Sequence, residues 1–226
     1  MAWPGRERAV GARSSQRTLR TSQKPLRGRF GSSSTGCARA GRGLSYTSMD
    51  ETKTVFPNAA DFAGQRTSPG NRWRTSDGRF AVHLPDPVWQ RITQLCRDAA
   101  CLETGGILVG RYDLAEGVAL VEQASGAPPD SRRGLFGFTR GHRGADEWLA
   151  ELWPHGTYYL GEWHLHPGGP SHPSATDRAA LKGIAIDPRY SCSAPLLLVV
   201  GGSHRSRQRS WLVWAGDGAA GLLPDP

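Results

Sequence analysis

The 226-residue chain lacks both a long apolar stretch and paired cysteines. Its longest strongly apolar run, residues 195–200, is far shorter than the about 20 residues that span a bilayer. The N-terminus also lacks the apolar stretch of about 7–15 residues found in secretory signals, so we expect a cytoplasmic protein without membrane contact. No two of the four cysteines form a Cys-x-x-Cys pair, which argues against a thiolate zinc knuckle or a redox motif.

Acidic side chains are almost missing from residues 1–48. Of the chain's 28 basic and 20 acidic residues, ten basic and one acidic fall there, which leaves 18 basic and 19 acidic residues for 49–226. The net charge of +8 therefore belongs to the first fifth of the chain. This distribution excludes a uniformly basic nucleic-acid-binding fold, so nucleic acid is not an expected partner of the remaining chain.

Residues 1–48 are rich in Arg, Ser and Gly, without hydrophobic periodicity, and are expected to be disordered. Three interpretations are open: a tether for nucleic acid or an acidic surface, an organellar transit peptide, or a segment outside the natural protein. The last interpretation rests on Met49, the only methionine besides Met1. We predict a basic tail over 1–48, a linker over 49–78 and one folded domain over 79–226.

The hydrophobic pattern of the folded domain predicts a mixed α/β fold without regular β-α alternation. A first helix is expected to begin at residues 85–87 and to end near Leu102, and Trp153 is expected on the apolar side of a second helix. Ser174 or Thr176 is the expected cap of a third helix. The predicted strands are 80–84, 105–112, 118–123, 135–139, 158–166, 195–200 and 210–214, and the second and third helices are 145–153 and 176–186.

Three of the seven histidines fall within nine residues: His164, His166 and His172. His164 and His166 are two residues apart on a predicted strand, where alternate side chains share one face, so both imidazoles can reach one metal ion. After a Pro-Gly-Gly-Pro turn, Asp177 reaches the start of a helix and offers a carboxylate as a third ligand. Two histidines and a carboxylate leave a fourth position for water, which suits catalytic zinc.

A catalytic zinc site also needs a general base, and two glutamates compete for that role. Glu162 lies on the predicted strand face of the two histidines, whereas Glu103 follows the first helix, directly before a Thr-Gly-Gly segment. Trp163 alternates with these side chains and is expected to point into the core.

The segment from His164 to Asp177 has the pattern His-x-His-Pro, six residues and Ser-x-x-Asp. This pattern resembles the motif of the JAMM metallopeptidases, and the stretch that begins at Glu103 resembles the family's acid before a Gly-rich hydrophobic strand. The resemblance spans roughly residues 79–215. It implies the cytidine-deaminase-like MPN/JAB fold, in which helices flank a central mixed sheet.

The resemblance also implies roles for single residues. His164, His166 and Asp177 would bind one zinc ion per chain, Glu103 would be the base, and Ser174 would stabilise the oxyanion. Glu162 would then lie behind the ligands or contact the substrate. His172 matches no motif position and is expected to be an exposed loop residue.

More narrowly, the chain resembles the bacterial JAB proteins of integrative elements and CBASS anti-phage operons. That resemblance implies an isopeptidase that releases a nucleotidyltransferase or ubiquitin-like protein from the target joined to its C-terminus. The loop 124–141 is expected to form one wall of a groove for this tail, with Arg132, Arg133 and Arg140 as candidate contacts. Two alternatives stay open: an amide hydrolase acting on a sulphur-carrier precursor or a small molecule, and a non-catalytic binding scaffold.

Overall fold

A computed structural model describes residues 55–57, 70–113, 115–216 and 218–225. The predictions for residues 1–48 and for most of the linker lie outside these residues. The predicted mixed α/β class is confirmed. The elements in chain order are β1 (Gly70–Thr75), β2 (Ala81–Pro85), α1 (Asp86–Asp98), β3 (Thr104–Asp113), β4 (Val118–Ala124), β5 (Arg132–Arg133), β6 (Phe138–Thr139), α2 (Ala145–Leu152), β7 (Tyr158–Leu165), α3 (Ala175–Ile186), β8 (Leu196–Ser203), β9 (Ser206–Ala215) and β10 (Gly218–Pro224).

Eight strands form one mixed sheet that closes on itself in the order β1-β10-β9-β8-β7-β3-β4-β2. The pairs β2–β4 and β7–β8 are parallel, and the other neighbours are antiparallel. The predicted hairpin is present as β3–β4. Because parallel neighbours need a crossover connection, the chain between β7 and β8 leaves the sheet, and α3 lies on that connection.

Adjacent residues of a strand point to opposite sides of the sheet. Both faces therefore carry apolar side chains, and helices pack on both. On one face, α1 packs into the largest core cluster through Val88, Ile92 and Cys96. On the other face, Trp148 of α2 packs against β3, and Leu181 of α3 packs against β8 and β9. Within the described ranges, no helix is both long and apolar enough to cross a membrane.

The sheet begins earlier than the sequence predicts. Residues 70–75, assigned to the linker, form β1, in which Trp73 pairs with Val82 of β2 and with Pro224 of β10. Trp73 is 5% exposed, whereas the arginines on either side of it are not buried. One inward-facing tryptophan is enough to anchor this polar strand, so the predicted domain start at residue 79 is too late. Strand β10, rich in Gly and Ala, also has no predicted counterpart.

Three predicted elements have different ends in the structure. The first helix ends at Asp98 instead of Leu102, because Ala99 caps it and Ala100 has a left-handed backbone with φ of 54°. The strand predicted over 135–139 is only β6, since residues 135 and 136 lie exposed beyond a two-strand ribbon. Trp153 follows α2 in a 3₁₀ turn and is 62% exposed, so its predicted place on the apolar side of α2 is wrong.

A short upstream segment, residues 55–57, packs against α2. The ring of Phe56 lies 5.2 Å from that of Trp148, whose Nε1 donates a hydrogen bond to the carbonyl of Pro57 at 2.8 Å. The N–H of Gly126 donates to the carbonyl of Val55, also at 2.8 Å. These three residues of the predicted linker are therefore part of the folded domain.

Replacing Phe56 with Ala tests this attachment. Phe56 is 7% exposed within the cluster on α2, so we expect Phe56→Ala to lower the free energy of unfolding by about 3 kcal/mol, the lower end for a truncated buried Phe. Urea unfolding measures the change. Phe136→Ala is the matched control: Phe136 is 96% exposed, and its replacement is expected to cost less than about 0.5 kcal/mol. Equal losses in the two variants would contradict the packing of residues 55–57.

Candidate active site

Strand β7 places the two histidines on the side of the sheet away from the main core. Trp163 and Leu165 are 1% and 0% exposed in that core, so the predicted inward direction of Trp163 is confirmed. Because side chains alternate, His164 points to the opposite face, and His166 follows directly after the strand. The centroids of the two imidazole rings lie 4.9 Å apart.

The N-terminus of α3 brings the carboxylate of Asp177 to these histidines. Ser174 is the cap, one of the two predicted candidates: its Oγ accepts a hydrogen bond from the N–H of Asp177 at 3.1 Å. In return, the N–H and Oγ of Ser174 both donate to Asp177 Oδ2 at 2.7 Å. This reciprocal capping box starts the helix and fixes the carboxylate in one orientation.

Asp177 contacts both histidines. Its Oδ1 lies 2.9 Å from Nδ1 of His164, and its Oδ2 lies 3.4 Å from Nε2 of His166. The donor atoms of the three residues all lie within 4.8 Å of one another, so the group could hold a metal ion. The other ring nitrogen of His166, Nδ1, lies 3.1 Å from the carbonyl oxygen of Pro170.

Glu103 joins the group because of the register between β3 and β7. Gly105 pairs with His164, and Thr104 pairs with Leu165, so the residue before β3 lies beside the histidines. Oε2 of Glu103 is 3.0 Å from Nε2 of His164. Gly105 permits this close approach, since a Cβ there would lie 2.3 Å from the carbonyl oxygen of Trp163.

The electrostatics of the cluster keep Asp177 ionised. Burial would raise the pKa of Asp177, but hydrogen bonds from His164, His166 and Ser174 outweigh burial and hold that pKa well below its usual range. The hydrogen bond to Asp177 is the largest cause that raises the pKa of His166. The arrangement thus presents a fixed anionic oxygen beside two imidazoles, and a metal ion bound there would have to displace the proton that this oxygen favours on His166.

A cavity of about 570 Å³ extends from the cluster between α3 and the chain segment that contains β5 and β6. Glu103, His164, His166 and Asp177 line one end. Leu181, Ile184 and Leu197 line another part, so the cavity is polar at the cluster and apolar beyond it.

Residues 130–141, here called the arm, form the wall of this cavity opposite α3. The ring of Phe138 lies 5.6 Å from that of His164, and the carbonyl of Gly134 accepts a hydrogen bond from the N–H of Glu103 at 2.8 Å. At the base of the arm, Asp130 accepts hydrogen bonds from the N–H groups of His142 and Arg143 at 3.0 Å. The arm therefore contacts the candidate site directly.

The four residues predicted to contact substrate lie in two different settings. Arg132 and Arg133 are exposed on β5. Arg140 and Glu162 instead form an ion pair, with Nε 2.7 Å from Oε1. His172 is exposed, as predicted.

Sequence reasoning missed three aromatic residues beside the site: Phe138, Tyr159 and Tyr190. Tyr159 and Glu162 are an odd number of residues apart, so simple alternation places them on opposite faces of β7. A register shift at Gly161 brings them to the same side, and the hydroxyl of Tyr159 donates to Glu162 Oε1 at 3.3 Å. Only Gly161 itself signals this shift: its φ is 149°, and a Cβ there would lie 1.9 Å from the carbonyl oxygen of Leu196.

The chain is similar to known proteins in family, sequence and structure. Residues 85–214 match the Prok-JAB family, described as prokaryotic homologs of the JAB domain. A protein of Enterobacter hormaechei named CD-NTase/cGAS isopeptidase is 39% identical over 123 residues, which cover 54% of this chain and 68% of that protein. The solution structure of a Desulfitobacterium hafniense protein is similar with a TM-score of 0.47 and 20% identity, over 62% of this chain and 86% of the other.

The cluster predicts one divalent metal ion per chain. If the cluster binds metal, His164→Ala and His166→Ala each remove one of its three candidate ligands. We then expect each variant to lose bound metal after dialysis, as measured by elemental analysis. His172→Ala is the matched control, because His172 is an exposed histidine of the same loop. Metal retained in both cluster variants, or lost in the control, would contradict the assignment.

Proposed function

The chain belongs to the Prok-JAB family, the prokaryotic homologs of the JAB domain, and from this premise we propose that it is a zinc-dependent isopeptidase. Its substrate is the amide bond that joins the C-terminus of a CD-NTase, or of a ubiquitin-like protein, to a target. The reaction takes place in the cytoplasm as part of CBASS anti-phage defence. The name of the Enterobacter hormaechei relative supports the activity and the CD-NTase substrate.

The observation that carries the proposal is the position of the Glu103 carboxylate beside a possible metal group that lines a cavity. Two imidazole nitrogens and one carboxylate oxygen, from His164, His166 and Asp177, are the donor types of catalytic zinc. Zinc bound there supplies Lewis-acid polarisation of the scissile carbonyl and lowers the pKa of water toward neutrality.

Glu103 is the proton carrier in this proposal. It takes a proton from the attacking water and passes that proton to the nitrogen of the leaving amine, a two-way transfer that a carboxylate can perform. Its Oε2 lies 3.0 Å from Nε2 of His164, and the side chain is 15% exposed at the cavity. Glu103 is thus held at the metal group while still open to substrate.

Ser174 donates a hydrogen bond to the oxyanion that develops on the scissile carbonyl. In the structure this hydroxyl donates to Asp177 Oδ2 at 2.7 Å, so its hydrogen must turn toward the substrate during the reaction. The N–H of Asp177 continues to hold the hydroxyl oxygen, at 3.1 Å. Ser174 therefore serves both the start of α3 and the reaction.

Glu162 is the weaker candidate for the base. Its Oε1 accepts hydrogen bonds from Arg140 at 2.7 Å and from Tyr159 at 3.3 Å. Both bonds engage Oε1 of Glu162 with protein groups instead of with a water molecule. These contacts favour Glu103 over Glu162 as the base.

The shape of the cavity suits an extended protein tail. The two-strand ribbon of the arm lies along one side, and an extended tail can add to such a ribbon through main-chain hydrogen bonds. Arg132 and Arg133 are exposed on β5, where they can attract an acidic substrate. The apolar part of the cavity near Leu181 and Ile184 receives side chains of the tail.

Replacing Glu103 with Gln tests the proposed base. The variant keeps all three metal ligands but cannot accept a proton, so we expect zinc content to be unchanged and kcat to fall by about 10²–10⁴-fold. The substrate is a fusion in which green fluorescent protein follows the C-terminus of a CD-NTase from the same genome. Glu147→Gln, at an exposed glutamate of α2, is the matched control and is expected to behave as wild type.

Two results would contradict the proposal in different ways. If Glu103→Gln remains active while Glu162→Gln is inactive, the base is Glu162. If the wild-type protein leaves the fusion intact but hydrolyses a sulphur-carrier fusion or a small-molecule amide, the substrate class is wrong. Cleavage by the wild type should also stop when a chelator removes the metal and return when zinc is added.

A further inference from the structure

An ion pair joins the arm to strand β7 within the wall of the cavity. Nε of Arg140, near the end of the arm, lies 2.7 Å from Oε1 of Glu162. The side chains are 9% and 22% exposed, so water screens this pair far less than an exposed one. Exposed ion pairs contribute little to stability. A largely buried pair costs more to break, so it can fix the position of a segment.

The other nitrogens of the Arg140 guanidinium group are also occupied. Nη1 donates to the carbonyl of Gly141 at 2.9 Å, and Nη2 donates to the hydroxyl of Tyr190 at 3.3 Å. On the other side of the pair, Tyr159 donates to Glu162, and its ring lies 5.2 Å from that of Tyr190. Arg140 therefore bonds protein groups through all three of its nitrogens.

The pair lies at a defined distance from the metal group. Glu162 is two residues before His164 on β7, about 7 Å along the strand. Phe138, whose ring contacts that of His164, is likewise two residues before Arg140. The arm is therefore held to β7 at two points with the spacing of two strand residues. The ion pair therefore lies two residues of β7 away from His164.

Few contacts besides the ion pair hold this part of the arm: the N–H of Glu103 donates to the carbonyl of Gly134, and the ring of Phe138 packs on that of His164. The ribbon β5–β6 pairs only two residues with two. Leu135 and Phe136, at its tip, are 56% and 96% exposed and contribute little burial. A short exposed ribbon is marginal by itself, so its position over the cavity depends on these contacts and on the ion pair with β7.

We propose that Arg140 and Glu162 are a positioning pair that clasps the arm to β7 and sets the width of the groove for an extended protein tail. This inference rests on the proposed isopeptidase function. It gives these two residues a positioning role, where the sequence predicted direct substrate contact.

The first test measures the arm in the free protein and does not depend on activity. Hydrogen–deuterium exchange of residues 132–139 is compared in wild type, Arg140→Lys, Glu162→Gln and the reversed pair R140E/E162R. We expect about tenfold faster exchange in both single variants and partial recovery in the reversed pair, because opposite charges are restored. Arg189→Lys, at an exposed pair with Asp187, is the matched control and should exchange as wild type.

The second test measures cleavage of the CD-NTase fusion by the zinc-loaded full chain. Loss of the clasp should raise KM about tenfold and change kcat less than twofold, since the proton carrier and metal ligands stay in place. A residue that touched the reacting atoms would lower kcat instead. The reversed pair should recover part of the KM, and zinc content and thermal unfolding are measured on every variant.

The two tests separate the clasp from the proposed function. Wild-type exchange rates in folded Arg140→Lys and Glu162→Gln overturn the clasp, whether or not the fusion is cleaved. Faster exchange with an unchanged KM, or with a loss confined to kcat, overturns its role in the groove. If the wild-type protein leaves the fusion intact, the proposed function is contradicted. The exchange experiment still decides whether the clasp exists. If Arg140→Lys does not fold, Glu162→Gln and the reversed pair supply the same comparison.

Discussion

The reciprocal hydrogen bonds between Ser174 and Asp177 are the constraint on which the site depends. They begin helix α3, and the same bonds fix the carboxylate that contacts both histidines. A carboxylate in the first turn is also favoured by the helix dipole. Burial alone would disfavour the ionised group, so the hydrogen bonds keep an anion available between two imidazoles. The start of α3 and the candidate metal group therefore depend on the same bonds. Helix α3 reaches the histidines because β7 and β8 are parallel and need a crossover connection.

The closed sheet supplies the remaining parts of the site. Register between β3 and β7 brings Glu103 to the cluster, while the arm covers the cavity from the side opposite α3. Strands β3 and β7 and the start of α3 thus position the candidate ligands and the proposed proton carrier. The proposed groove, by contrast, has one wall that depends on a few contacts of the arm. The site residues need fixed distances for the proposed chemistry. The wall of the groove must instead allow a protein tail to enter.

Much of this arrangement follows from local sequence, and the rest does not. Strand alternation places His164 and His166 on one face, and the helix cap indicates where Asp177 lies; the structure brings these residues and Glu103 together. The pairing of Arg140 with Glu162 depends on the path of the arm, and the place of Tyr159 beside Glu162 depends on a register shift next to Gly161; no local pattern encodes either. Strand β1 is missed because it is polar apart from Trp73, and the strand predicted over 135–139 is too long because its apolar residues lie exposed at a tip.

The most direct test of the central claim is X-ray anomalous scattering at the zinc absorption edge, from crystals of the full chain grown with zinc. The account predicts one strong anomalous peak per chain, with His164, His166 and Asp177 as protein ligands at about 2.0–2.2 Å. A peak bound by other residues, or zinc-loaded crystals without a peak at these three side chains, would contradict it.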